Sequence, residues 1–166
     1  MMLGMSLSTF TAVHVVISLI GIVSGVIVLF GLLSAKPLNG LTVLFLLTTV
    51  LTSVTGFGFP VEHLLPSHKI GIISLGVLAI AILARYSFHM AGSWRWIYVV
   101  TAMIALYLNV FVLVVQSFEK VPALKAMAPT QSEPPFLVAQ LVVLALFIVL
   151  TILAVKKFHP EAARSA

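Results

Sequence analysis

The chain has 166 residues, 61% of them hydrophobic and 8% charged, with no cysteine and a net charge of +5. Soluble domains run near about 45–50% apolar and about 25% charged, so nine basic and four acidic side chains cannot clothe a water-soluble surface of this size. Soluble enzymes, disordered tails and nucleic-acid-binding domains are thereby excluded, and the missing cysteines exclude disulfides, thiol catalysis and iron–sulfur clusters.

A bilayer core of roughly 30 Å needs about 20 apolar residues at about 1.5 Å each. Five stretches qualify: Phe10–Ser34, Leu38–Phe59, Lys69–Phe88, Trp94–Phe118 and Phe136–Val155. The expected fold is therefore an all-α integral membrane protein, a bundle of five transmembrane helices forming one domain over 1–166, with no soluble domain. The first stretch competes with a signal peptide. No Lys or Arg precedes it, it is longer than a signal core of roughly 7–15 residues, and no small-x-small cleavage site follows it, so it reads as a retained span. Lys36-Pro37-Leu38-Asn39-Gly40 is a tight turn, and Gly56 to Ser67 carries Pro60 and Pro66. Ala91-Gly92-Ser93 is a short connection, and Glu119 to Pro135 is one long, proline-rich loop. Each proline falls where no helical hydrogen bond is needed.

Counting Lys and Arg sets an orientation. One side carries Lys36, Arg85, Arg95, Lys156, Lys157 and Arg164 against Glu161; the other carries Lys69, Lys120 and Lys125 against Glu62, Glu119 and Glu133. The positive-inside rule then places the N-terminus outside and the C-terminus in the cytoplasm, in a bacterial-type cytoplasmic membrane. Trp94, Trp96 and Tyr98 form an aromatic anchor at the cytoplasmic boundary, and Arg85 snorkels to the headgroups. An odd number of spans and no internal repeat argue against an inverted-repeat transporter.

Polar side chains within hydrocarbon need partners. In the first span Thr11, His14, Ser18, Gly21 and Gly25 form one stripe, and Gly21-x-x-x-Gly25 suits close helix approach, either within the chain or in a homo-oligomer. The second span is rich in threonine and serine, whose hydroxyls can return to backbone carbonyls one turn earlier. Asn109 lies mid-span in the fourth helix with Gln116 on the same face, and Gln140 lies in the fifth. By depth, His14, Thr52, Thr55, Ser74, Gln116 and Gln140 share a thin layer near the outer face. The expected ligand-binding residues are His14, Thr52, Asn109, Gln116 and Gln140, around an outward-facing polar pocket. Glu62 and His63 with His68 supply imidazole and carboxylate for a divalent metal, although Pro66 interrupts the segment.

His14 and His68, on different helices, could ligate a b-type haem. Ser67-His68-Lys69-Ile70-Gly71 and Leu108-Asn109-Val110-Phe111 show a faint resemblance to cytochrome b561-type membrane proteins. That resemblance implies haem redox chemistry, but Tyr98 stands where a histidine would be wanted and an extra span separates His14 from His68. A core of four histidines and two haems cannot be built from the intramembrane histidines. The chain contains no Asp, no Walker loop, no Gly-x-Gly-x-x-Gly and no His-Glu-x-x-His. The sequence thus points to binding or passage of a small molecule or lipid, or to an accessory subunit of a membrane complex, with a haem- or metal-binding redox protein as the alternative. The bilayer is the expected partner, with a homo-oligomer or larger complex beside it and no nucleic acid.

Overall fold

A computed structural model describes residues 4–64 and 66–160. Glu161 and Arg164, both used in the charge count, lie outside the described residues. The elements are α1 (Leu7–Leu33), α2 (Asn39–Gly56), α3 (Pro66–Ile82), α4 (Trp94–Lys120), α5 (Pro122–Met127) and α6 (Pro134–Lys157). A wide π turn, Leu83–Ser87, extends α3. All but α5 are long and apolar enough to cross a membrane, and their ends fall within three residues of the expected spans. Helix is what hydrocarbon demands, because each backbone N–H and C=O must find its partner inside the segment.

Local chemistry sets the boundaries. Ser6 caps α1 by accepting from the Thr9 amide at 3.2 Å. The same helix closes with Ala35 in the left-handed region and the Lys36 amide returning to Gly31 O at 2.8 Å, just before Pro37. Pro134 and Pro135 open α6, where a missing N–H costs nothing, and Lys156 and Lys157 sit at its negative end. The short α5 lies inside the segment read as loop. Pro122 fixes its first turn and Ala-Leu-Lys-Ala-Met continues it.

Neighbouring helices pack α1 on α2, α2 on α3, α3 on α4, α4 on α6 and α6 on α1; α4 also touches α1 and α2. Val99, Ala102, Met103, Ala105 and Leu106 of α4 therefore form the centre of the core, against Phe45, Leu46, Leu78, Phe147 and residues of α1. Leu137, Val138, Leu141, Val142 and Ile148 of α6 are exposed, as expected of a lipid-facing surface. In lipid the bundle gains nothing from hiding oil from water, so packing and interhelical hydrogen bonds hold it.

The glycine stripe of α1 is a contact within the chain. A Cβ on Gly21 would stand 3.2 Å from Thr48 Oγ1, and one on Gly25 would stand 2.6 Å from Leu106 Cδ1. At the level of Gly21, Asn109 Nδ2 donates to Thr49 Oγ1 at 3.2 Å, joining α4 to α2. We expect Asn109→Leu to lower stability by about 0.6–2 kcal/mol, the range for hydrogen bonds between membrane helices. Thermal unfolding in detergent checks it; an unchanged midpoint would mean this bond is not holding α4 to α2.

Candidate functional site

Of the polar groups in the expected outer layer, some are engaged in pairs and others are not. His14 Nδ1 lies 2.7 Å from Thr55 Oγ1, and its ring meets Phe59 edge-on with centroids 5.1 Å apart. Thr55 also donates to Leu51 O at 2.7 Å, the backbone return that its residue type favours, and Ser53 bonds Ser74 at 3.2 Å between α2 and α3. Thr52 Oγ1 is buried without a hydrogen-bond partner. Gln140 Nε2 donates to Phe111 O at 3.3 Å, while its Oε1 is buried and unpartnered. Gln116 reaches only Glu119, one turn on, at 3.5 Å. His68 is buried with its ring 5.5 Å from Phe57, whereas Glu62 and His63 are exposed. Among the described residues no three His or acidic side chains gather closely enough to hold a metal ion. His14 and His68 rest on different aromatic neighbours, Phe59 and Phe57.

A hollow of about 310 Å³ on this side is lined by Phe118, Glu119, Lys125, Pro129, Thr130 and Gln131, not by the five expected ligand residues. Beside it Glu133 ties the loop, accepting from Thr130 Oγ1 at 2.7 Å and from the Ser132 amide at 3.1 Å. These bonds, that from Thr130 foremost, hold the Glu133 carboxyl below its usual value. A depressed carboxyl stabilises the loop above its ordinary unfolded value, and the effect is lost as pH falls through the lower folded one. Hydrogen-exchange protection of the Thr130 and Ser132 amides should accordingly fade on acidification and vanish in Glu133→Gln at neutral pH. Protection that ignores both changes would contradict this role.

The larger concavity is at the opposite end. A cleft of about 650 Å³ is lined by Pro37, Asn39, Arg85, Tyr86, His89, Met90, Gly92, Arg95, His159 and Pro160. Arg85 is only 6% exposed. Its Nη2 donates to Asn39 Oδ1 at 2.6 Å and to Pro37 O at 3.1 Å, and its guanidinium lies 5.0 Å from the Tyr98 ring centroid. Arg95 Nη1 donates to Val155 O at 2.9 Å and Phe158 O at 2.7 Å, closing the last turn of α6. Such carbonyls carry the negative end of the helix dipole, so Arg95 is well placed there.

Arg85 is placed differently. It stands at the start of α2, where unsatisfied N–H groups make the dipole positive. The residue before α2, Leu38, provides no side-chain cap, and no acid occupies the first turn. The acids among the described residues lie at the other end, Glu62 and Glu133 in connections and Glu119 in the last turn of α4. Among the described residues, positive charge is therefore concentrated here without a carboxylate to answer it.

Comparisons with family models, with curated proteins and with solved structures return no match to this chain. The site must be judged on its own geometry.

Backbone strain gathers at the same place. Ala35, Leu38, His89 and Met90 all have positive φ, at 55°, 39°, 50° and 56°. Non-glycine residues seldom adopt this region, which costs on the order of 1–3 kcal/mol each and clusters at functional sites. The π turn Leu83–Ser87 carries Arg85 itself, and such turns recur at functional sites for the same reason.

Two sequence expectations are corrected here. Arg85 does not snorkel outward; it is buried against α2 and α4. The signal was present, since Ser74, Leu78, Ala81 and Arg85 recur at +4, +3 and +4 on the buried stripe of α3. Tyr98 is not a boundary anchor but a fully buried core residue, its ring under the Arg85 guanidinium and beside Phe158. Trp96 is exposed and Trp94 stacks on Phe88 at 4.0 Å, so the aromatic belt rests on these.

Proposed function

We propose that this membrane bundle binds a small anionic molecule or lipid headgroup in the cleft between the α1–α2 turn, the π turn of α3 and the end of α6. The observation that carries this reading is Arg85, nine-tenths buried, lining an open cleft and facing no carboxylate among the described residues. A buried cation without a counter-ion is expensive and marks a binding path by default in membrane proteins. The excess of Lys and Arg at this end supports a cytoplasmic setting for the cleft, with the N-terminus outside. A second reading keeps the outer layer as a route for a small polar molecule. It draws on the Thr52 hydroxyl and Gln140 carbonyl, buried without partners beside the His14–Thr55 and Asn109–Thr49 seams.

Mass spectrometry of the protein extracted in mild detergent tests the first reading. An anionic compound should co-purify with the parent and be released by Arg85→Gln. A parent carrying no anion, and whose melting midpoint ignores added phosphates and carboxylates, would remove it.

A further inference from the structure

The chemistry of the cleft walls narrows the anion. We infer that the cleft takes a phosphate monoester carried on an apolar body, that is, the headgroup of a phosphatidic-acid-like lipid; this rests on the anion reading above. Three observations converge. The first is geometry of donation. Arg85 commits Nη2 to Pro37 O and Asn39, leaving Nη1 only the Met90 sulfur at 3.8 Å. Arg95 commits Nη1 alone. The Nε of Arg85 and the Nε and Nη2 of Arg95 have no hydrogen-bond partner among the described residues, and a planar guanidinium fork matches phosphate oxygens.

The second is charge. Two guanidiniums and the uncapped start of α2 face no acid among the described residues, which favours a dianion over a monoanion. The third is shape and depth. At about 650 Å³ the cleft exceeds what a bare oxyanion fills, and Pro37, Tyr86, Met90 and Pro160 give it apolar walls. Exposed Tyr86 and Trp96 and the Phe88–Trp94 stack are the residues of a headgroup-level belt, so the cleft opens where lipid heads lie. Basic pockets between membrane helices hold phosphate headgroups by the same means.

Native mass spectrometry of the full chain in detergent decides it, with equimolar dioleoyl phosphatidic acid, phosphatidylglycerol and phosphatidylcholine as probes. Phosphatidic acid should be retained about tenfold over phosphatidylcholine, with phosphatidylglycerol between them. Arg95→Gln should reduce that preference to about twofold, and Arg85→Lys, which keeps the buried charge and loses the fork, should do the same. A circular-dichroism melt confirms that both variants fold. Lys69→Gln, which removes an exposed positive charge at the opposite end of the bundle, should leave the preference intact, and its loss in that variant would overturn the inference. Inorganic phosphate at millimolar concentration should not displace the lipid. If it does, or if phosphate shifts the melting midpoint while the three lipids are retained equally, the ligand is a soluble phosphate. The lipid inference then falls and the anion reading stands. Equal lipid retention with a midpoint indifferent to phosphate and carboxylates overturns both.

Discussion

Gly25→Leu will destabilise the bundle by about 3 kcal/mol or more, the upper end of overpacking in a close-packed core. A first side-chain carbon would already stand 2.6 Å from Leu106 Cδ1 and 2.9 Å from the Phe45 ring. Both neighbours are almost wholly buried in the central cluster of α1, α2 and α4, so neither can retreat without displacing others. The contact lies within one chain, so the oligomeric state in detergent should not change while the melting midpoint drops. Leu106→Ala in the same background should recover part of the loss, because the two residues share one volume and their effects cannot add. A wild-type midpoint, or a new oligomer with an unchanged midpoint, would show that α1 does not pack as described. Gly21→Ala makes the graded comparison. Its added carbon meets Thr48 Oγ1 at 3.2 Å, a contact that a side-chain shift of a few tenths of an ångström relieves, and the expected effect is small.

The spans were legible in the sequence because bilayer thickness imposes a length that apolar runs either meet or miss. The stripe through Gly21 and Gly25 was legible for a similar reason, since a small-residue repeat at helical spacing creates a face that must be filled. What fills it could not be read: periodicity names a face of one helix, and only topology shows that Phe45 and Leu106 occupy it. Backbone return accounts for three hydroxyls of α2, with Thr48 donating to Leu44 O at 2.7 Å, Ser53 to Thr49 O at 3.0 Å and Thr55 to Leu51 O at 2.7 Å, whereas Thr52 Oγ1 has no partner. Arg85 shows the limit. For an isolated helix, the cheapest exit for a cation near a span end is outward to the headgroups. The inward alternative needs carbonyls and a ring from other helices, Pro37 O and Tyr98, brought there by two connections whose strain no composition reveals. Depth along each helix was likewise readable, and it drew attention to the outer layer. The concavity at the other end depends on how three chain segments meet.

Arg85→Met should therefore leave the ligand-free protein as stable as the parent, or more so, while abolishing its response to anions. Taking a cation out of water costs several kcal/mol even after relaxation. Against that, Arg85 gains two charge-assisted hydrogen bonds, at about 1.5–3 kcal/mol each, and a cation–π contact of about 0.5–2 kcal/mol on Tyr98. The two sides nearly cancel. Removing the guanidinium also strands no acceptor: Pro37 O still receives the Thr42 hydroxyl at 3.1 Å, and Asn39 is exposed to solvent. Methionine fills a comparable length with a flexible apolar chain beside Met90 and Tyr98. If Arg85 were a structural strut, the same substitution would cost about 3–5 kcal/mol, as breaking a buried pair does. Melting the lipid-stripped parent and variant side by side, then repeating with phosphatidic acid, separates the cases. A variant that melts far below the parent makes Arg85 a strut; one that matches it without ligand, and alone fails to gain stability with the lipid, identifies a cation kept for what it binds.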